Sequence, residues 1–149
     1  MASELLYLSR ADVEKIGLSM VDIIAAVEGV FREKGEGRIA MPPKIGIDPA
    51  PNASLNAMPG YVASARAAGV KWVSIYAKNI QRGLPAISGL IILNETETGL
   101  PLAVMDCIWI TAKRTGAASA VAAKYLARKG TALSRRRSAI SSDRLKADC

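Results

Sequence analysis

Three basic residues occur in ordered stretches of the sequence, where they could bind an anionic group. Arg38 follows the first long helix pattern, Lys71 lies in a strand-like run, and Arg114 lies in the first turns of an alanine-rich helix. Guanidinium and ammonium groups together can hold a carboxylate, with arginine supplying a two-pronged contact. The pattern leaves open whether the three converge, because a lone strand lysine more commonly lies on the solvated face of a sheet.

Two threonines lie on either side of the arginine in that alanine-rich helix. Thr111 and Thr115 are close to the predicted helix start, where hydroxyls and free N–H groups suit a phosphate. The alternative is ordinary capping, since threonine is a common cap, and Asp106 could itself be the cap. The residue types therefore permit a phosphate contact without requiring one.

The sequence contains no histidine, and its two cysteines, Cys107 and Cys149, are far apart. The lack of histidine removes the commonest general base and the commonest metal ligand. Two distant cysteines make neither a zinc site nor a disulfide framework, so we expect no metal site and a reducing, cytoplasmic setting. No apolar run reaches membrane-spanning length, and the N-terminal residues lack a secretory pattern.

The net charge of +7 is concentrated at the C-terminal end of the sequence. Residues 129–149 hold six Lys or Arg against two Asp or Glu, a balance of +4. An arginine triplet, 135–137, suggests a nucleic-acid binder as one alternative, but this tail contains no aromatic residue for base stacking. Non-specific phosphate attraction is the most that it supports, and we expect no specific nucleic-acid partner.

The elements that must position these residues can be predicted from hydrophobic spacing. Ser9 is a candidate cap for a short helix, and Ser19 for a longer amphipathic helix that ends near Gly35. Prolines between residues 42 and 51 exclude helix there and favour extended or turn structure. Alternation and β-branched content predict strands over 55–62, with a break at Pro59 and Gly60, and over 69–77, 87–93 and 100–106.

Two further features complete the predicted architecture. The strand over 69–77 departs from strict alternation, which indicates one bulge or register slip. Residues 108–128 form a long alanine-rich helix whose small side chains allow close packing. The fold class is therefore α+β, with N-terminal helices, a largely antiparallel or mixed sheet and a long C-terminal helix.

Several motifs together resemble the ornithine cyclodeaminase/mu-crystallin family. They are M-P-G at 58–60, G-V-K-W-V at 69–73, N-x-x-x-G-L-P at 79–85, T-G-L-P-L-A-V-M-D at 98–106 and T-A-K-R-T at 111–115. The combination of the last two is the most specific part, and the resemblance covers about residues 5–129. It implies a substrate-binding and dimerisation domain over 1–129, whose sheet pairs with that of a second copy to form a homodimer.

The resemblance also implies roles for the basic residues and threonines. Arg38, Lys71 and Arg114 would surround the carboxylate of a small amino acid, 2-oxo acid or imine, with Lys71 as the catalytic candidate. Thr115, with Thr111 beside it, would lie close to the diphosphate of NAD or NADP. The family chemistry is oxidoreduction or deamination at the carbon that bears the amino group, and the nicotinamide carries the difficult step.

Two departures from the family pattern modify that expectation. Asn56 stands near the position where cyclodeaminases carry a glutamate, which favours an alanine dehydrogenase or ketimine reductase over ornithine cyclisation. Residues 130–149 show no glycine-rich strand and turn, so we expect a missing Rossmann domain and a chain that is inactive alone. We expect this segment to be a basic, disordered tail, and an altered reading frame is our hypothesis for its origin. The alternative function is a non-catalytic carboxylate-binding or dimerisation module.

Overall fold

The computed structural model describes residues 4–128 as one mixed sheet with helices on one side. The predicted tail over 130–149 lies outside the described residues. The helices are α1 (Arg10–Lys15), α2 (Met20–Gly35) and α3 (Ile108–Leu126), and a short 3-10 helix spans Ala77–Arg82. The strands are β1 (Leu6–Leu8), β2 (Ile39–Ala40), β3 (Ile45–Ala50), β4 (Ala53–Val62), β5 (Ala67–Tyr76), β6 (Ile87–Glu95) and β7 (Pro101–Asp106).

The two N-terminal helices begin at the predicted serines. The side chain of Ser9 accepts from the backbone N–H of Asp12, and the backbone N–H of Ser9 donates to the Asp12 carboxylate at 2.9 Å, forming a full capping box at α1. Ser19 accepts from the backbone N–H of Asp22 at 3.2 Å and begins α2. These caps satisfy backbone donors that a helix start leaves free, so local sequence suffices to set both starts.

The sheet runs in the order β1-β7-β6-β5-β4-β2, and β3 also pairs with β4. Every pairing is antiparallel except β1 with β7, which is parallel. The expected α+β class and mixed sheet are confirmed. The predicted break at Pro59 and Gly60 is wrong, because β4 continues through both residues in unbroken register with β5.

The bulge predicted in the strand over 69–77 is also wrong. Residues 67–76 of β5 pair one for one with β4, and residues 67–75 pair one for one with β6. The apolar pattern loses its alternation for another reason, since β5 carries apolar side chains on both faces of the sheet. Val73 is buried on one face, while Trp72 on the other is 43 % exposed.

The helices cover one face of the sheet and leave the other open. Buried apolar residues lie on the covered side, among them Val73, Ala103 and Cys107 from the strands and the helix start, and Ala117 and Val121 from α3. Strand register places a second apolar set on the opposite side, which we name the open face. It comprises Tyr7, Tyr61, Trp72, Leu90 and Ile92, each at least 36 % exposed.

One glycine sets how closely α3 approaches the sheet. A Cβ atom at Gly89 would lie 2.2 Å from the Trp72 carbonyl oxygen and 3.1 Å from the Cys107 sulfur. The backbone N–H of Cys107 donates to the Gly89 carbonyl at 3.1 Å, and the Cys107 side chain is fully buried. The first turns of α3 therefore lie directly on the middle of the sheet, which carries its basic and hydroxyl side chains over β5 and β4.

Candidate functional site

A cavity of about 580 Å³ lies between the sheet, the start of α3 and the proline-rich segment 41–44. Its volume is in the range of small-molecule sites. The sheet contributes Met58, Pro59, Gly60, Lys71 and Ile91, α3 contributes Ile110, Thr111 and Arg114, and the segment contributes Met41, Pro42, Pro43 and Lys44. Most of this lining is apolar, so its three cations are the features that can orient a polar ligand.

Lys71 is placed in the cavity by the register of the sheet. It lies opposite Met58 on β4 and Ile91 on β6, and both neighbours line the same cavity. Burial lowers the pKa of the Lys71 ammonium, and the positive charge of Arg114 lowers it further, while Cys107 acts in the opposite direction. The lysine is therefore on the covered face of the sheet, and the solvated-face alternative does not hold.

Arg114 reaches the same cavity from the helix above the sheet. The residue lies in the second turn of α3, whose start is held by an Asp106 Oδ1 that accepts from the Ile108 N–H at 2.8 Å. After burial, the positive charge of Arg114 is the second cause that lowers the pKa of Lys71. Lys71 is half-buried and Arg114 is exposed, and two positive groups that line one cavity favour a negatively charged ligand there.

Lys44 is a third cation in the cavity that sequence reasoning missed. It follows Pro42 and Pro43, whose rings restrict the backbone, and all three residues line the cavity. The signal was present in the sequence as a charged residue directly after two prolines. Nothing in the linear pattern indicates that this segment lies beside β4, so the sequence alone does not identify Lys44 as a cavity residue.

The structure does not bring Arg38 to the cavity. Its side chain is 54 % exposed and forms an ion pair with Glu36, while its backbone N–H donates to the Glu33 carbonyl at 2.9 Å. Gly37, in a left-handed conformation at φ 74°, reverses the chain just before it. The predicted contact of Arg38 with substrate stays a prediction, and Lys44 is the third cation in the cavity lining.

The two threonines take different positions. Thr111 lines the cavity, and its Oγ1 is buried without a hydrogen-bond partner among the described residues. Thr115 is exposed, and its Oγ1 donates to the Thr111 carbonyl at 2.7 Å. Neither caps α3, because the residue at the cap position is Cys107 and the side-chain acceptor at the helix start is Asp106.

The described residues do not fit a nicotinamide dinucleotide by themselves. A dinucleotide-binding fold needs a parallel sheet and a glycine-rich turn between a strand and a helix. Within residues 4–128, β1 and β7 are the only parallel neighbours. A single residue, Cys107, joins β7 to α3, so no glycine-rich turn lies between them. The carboxylate of Asp106 already occupies the N-terminus of α3. The contact of Thr115 with a cofactor diphosphate and the absence of a Rossmann domain both stay predictions.

Residues 4–128 show no sign of a metal site or of a membrane-spanning helix. That stretch contains no group of three or more Cys, Asp or Glu side chains arranged to hold a metal ion. None of its helices combines the length and the apolar character that a membrane span requires.

The chain is similar to known proteins in sequence and in fold. The family model for the ornithine cyclodeaminase/mu-crystallin family matches residues 4–133. The chain is 47 % identical to the nodulation efficiency protein NfeD of Rhizobium meliloti over 120 residues, covering 80 % of this chain and 38 % of that protein. The chain spans about two-fifths of the length of the relatives that it matches.

Two solved structures share the fold. One is an archaeal alanine dehydrogenase dimer with bound NAD, at TM-score 0.80 and 44 % identity, covering 86 % of this chain and 39 % of that one. The other is the Thermococcus litoralis Δ1-pyrroline-2-carboxylate reductase with NADH and L-proline, at TM-score 0.79 and 46 % identity, covering 83 % and 38 %. Together with the family match over most of its length, these similarities show that the chain belongs to the ornithine cyclodeaminase/mu-crystallin family.

Proposed function

We propose that this chain supplies the carboxylate-binding part of the active site of an amino-acid or imine oxidoreductase. The observation that carries the proposal is the convergence of Lys71, Arg114 and Lys44 on one cavity. Arg114 offers a planar pair of N–H donors that matches a carboxylate, and Lys71 offers a point charge beside it. Lys71 is half-buried, so water screens its charge less than it would on an open surface.

The reaction class rests on relatives that share this part of the chain. Alanine dehydrogenase and Δ1-pyrroline-2-carboxylate reductase both have names that place their chemistry at the carbon between an amino or imino nitrogen and a carboxylate. Both structures hold NAD or NADH, so the proposed activity of the whole protein is dinucleotide-dependent. In that reaction, residues 4–128 hold the carboxylate and orient the adjacent carbon.

Oxidation or reduction is favoured over ring closure of a diamino acid. Asn56, near the position where cyclodeaminases carry a glutamate, is buried and donates from its Nδ2 to Ser54 Oγ at 3.1 Å. An amide at that position carries no negative charge to pair with a second ammonium group. It also cannot act as a base that takes up a proton. This supports the alanine dehydrogenase or ketimine reductase side of the family.

Lys71 is also our candidate catalytic residue. Burial, with a further contribution from Arg114, lowers the pKa of the Lys71 ammonium, and a lowered pKa makes an ammonium a better proton donor than an ordinary lysine. The proposal is supported by the position of Lys71 in the same cavity lining as Arg114. The proposed role of Lys71 is to hold a proton at the amino or imino nitrogen while Arg114 retains the carboxylate.

We further propose that the chain forms a homodimer through the open face. The aromatic and aliphatic side chains of Tyr7, Tyr61, Trp72, Leu90 and Ile92 form an exposed apolar surface of the kind that marks interfaces. The similar archaeal alanine dehydrogenase is a dimer. Sedimentation equilibrium should give a dimer for the purified chain and a monomer for Trp72→Asp, whereas a monomeric wild-type chain would refute the proposal.

The carboxylate site can be tested on the purified chain by isothermal titration calorimetry. Pyruvate, L-alanine and L-proline are suitable probes, and Arg114→Gln removes the two-pronged donor while preserving side-chain polarity. Arg128→Gln is the matched control, because Arg128 follows the last turn of α3 and is not part of the cavity lining. We expect at least one probe to bind, with roughly a tenfold or greater loss in Arg114→Gln only.

The same titration separates the two candidate functions. Binding that depends on Arg114, together with turnover of the same compound by a form of the protein that also carries a dinucleotide site, supports the oxidoreductase. If the chain binds the compound but no form of the protein with a dinucleotide site turns it over, the result supports a non-catalytic carboxylate-binding module. The absence of binding by every carboxylate probe would refute the proposed site.

A further inference from the structure

The last turns of α2 contain a buried carboxylate that the proposed function does not use. Glu33 is 7 % exposed and is the one buried acidic side chain within residues 4–128. A charged group out of water needs strong partners. The Glu33 carboxylate accepts from the Ser64 hydroxyl and from the Ser64 backbone N–H, the latter at 3.3 Å. The hydroxyl bond lowers the pKa of Glu33 against the opposing effect of burial, so the carboxylate is charged at neutral pH.

Glu33 also belongs to the turn that ends α2. Its backbone carbonyl accepts from the Arg38 N–H at 2.9 Å, and the Lys34 carbonyl accepts from the Gly37 N–H at 3.2 Å. With Gly37 in a left-handed conformation, these two bonds form a Schellman motif that reverses the chain and directs it into β2. The backbone of Glu33 therefore holds the start of β2, while its side chain holds the turn that joins β4 to β5.

The strand β2 needs such support because it is very short. It consists of Ile39–Ala40 and pairs with β4 through these two residues. Segment 41–44 follows directly and forms one wall of the cavity. Ser64 lies two positions beyond Val62, the β4 residue at which the pairing with β2 ends. The contact between Glu33 and Ser64 therefore fastens the end of β4 to α2 beside the pairing from which segment 41–44 departs.

We propose that Glu33 is a positioning residue, whose contact with Ser64 holds β2 on β4 and so keeps segment 41–44 in place as a wall of the cavity. This inference rests on the proposed function, because it concerns the same cavity. Glu33 is outside the cavity lining and acts through the backbone. When the contact is lost, the segment leaves β4 more often, and a ligand binds only the fraction of chains in which the wall is in place.

Positioning differs measurably from a general contribution to stability. A residue that only stabilises the whole chain changes the free energy of global unfolding, and its loss accelerates exchange of the most protected amides as well. A residue that positions one segment changes the free energy of a local opening, and its loss accelerates exchange in that segment alone. Amide exchange in β2 and in segment 41–44 can therefore be compared with exchange in β5 within the same sample.

The test compares three variants with the wild-type chain. Glu33→Ala removes the acceptor, and Ser64→Ala removes the hydroxyl donor from an exposed turn, with little risk to folding. Glu33→Gln retains one side-chain acceptor and should rescue part of the effect of alanine. Glu36→Gln is the matched control, because Glu36 is an exposed glutamate of the same turn whose carboxylate pairs with Arg38.

Hydrogen exchange followed by mass spectrometry measures the local opening. Peptides covering residues 38–47 should exchange roughly tenfold faster in Glu33→Ala, as expected for loss of a hydrogen bond to a charged group, while β5 stays unchanged. Ser64→Ala should change the same peptides in the same direction and to a smaller extent. Because both residues act through one contact, Glu33→Ala combined with Ser64→Ala should exchange no faster than Glu33→Ala alone.

Titration calorimetry with pyruvate, L-alanine and L-proline measures the consequence for binding. Whichever of these probes the wild-type chain binds should bind Glu33→Ala about threefold or more weakly, because fewer chains have the wall in place. Glu33→Gln should lie between the two, and Glu36→Gln should bind as the wild type does. The unfolding temperature of each variant shows whether the fold is retained.

Each outcome has a distinct meaning. Unchanged exchange over residues 38–47 in Glu33→Ala would overturn the inference, and so would an acceleration that extends equally to β5. Faster local exchange with unchanged affinity would overturn it as well, since the segment would then not be positioned for binding. If the wild-type chain binds none of the three probes, the proposed site is refuted, and the exchange measurement then decides by itself whether Glu33 positions the segment.

Discussion

Replacing Lys71 by methionine should separate the binding role of this residue from its effect on stability. The side chain lies on the covered face of the sheet between Met58 and Ile91, so a methionine of similar length fits among apolar neighbours. Loss of a hydrogen bond to a charged group costs about 1.5–3 kcal/mol. Carboxylate binding should therefore weaken by roughly 10- to 150-fold in the variant.

The expected effect on stability has the opposite sign. Because the pKa of Lys71 is lowered in the folded state, its charged form destabilises the fold at every pH below that lowered value. This cost is relieved as the pH rises through the folded pKa toward the usual 10.5. At neutral pH, Lys71→Met should leave the ligand-free chain unchanged or more stable by up to about 1 kcal/mol, a figure kept small because the group is only partly buried.

Urea unfolding and titration calorimetry on the same preparations measure both effects. Lys78→Met is a matched control, because Lys78 is an exposed lysine in the 3-10 helix after β5. That variant should bind carboxylates as the wild type does. A Lys71→Met chain that binds normally, or that loses more than about 1 kcal/mol of stability, would refute the reasoning from burial and charge.

Three other substitutions test how the fold positions the cavity. Gly89→Ala should destabilise the chain by about 1–3 kcal/mol in urea unfolding, because the added Cβ would lie 2.2 Å from the Trp72 carbonyl oxygen and force β5 and β6 apart. Ser19→Ala should cost about 1 kcal/mol, measured the same way, through loss of the α2 cap. Glu95 accepts from backbone N–H groups that hold its pKa at about 2 instead of 4.5. The stabilisation that the charged carboxylate gives the fold should therefore decline as the pH falls from about 4.5 to about 2. Glu95→Gln should abolish this part of the pH dependence of unfolding.

Much of the fold follows from local signals in the sequence. Ser9 and Ser19 begin the first two helices because the capping contacts are formed within three residues. The strand β1 could not be predicted, since its three residues pair with β7, almost a hundred positions later. The false bulge in β5 has a related cause: both faces of the sheet are apolar, and alternation then no longer reports which side is covered.

The site was predictable where a residue lies within a regular element. The positions of Lys71 in a strand and Arg114 in a helix follow from register and helical phase, and the structure brings both to one cavity. Lys44 and Arg38 lie in irregular segments near the edge of the sheet, where no periodicity indicates a direction. Chain reversal at Gly37 and the turn of segment 41–44 over β4 place Lys44 in the cavity lining and leave Arg38 beside Glu36.

The most direct test of the carboxylate site is an NMR titration of the Lys71 side chain, with and without a saturating carboxylate ligand. Carbon-13 labelled lysine allows the pKa of each ammonium group to be followed, and Lys71→Met assigns the signal. We predict a lowered pKa in the free chain, caused by burial and by Arg114, and a clear rise when the negative ligand binds between them. A Lys71 pKa that does not change on saturation would contradict the account, because the bound carboxylate would then lie elsewhere.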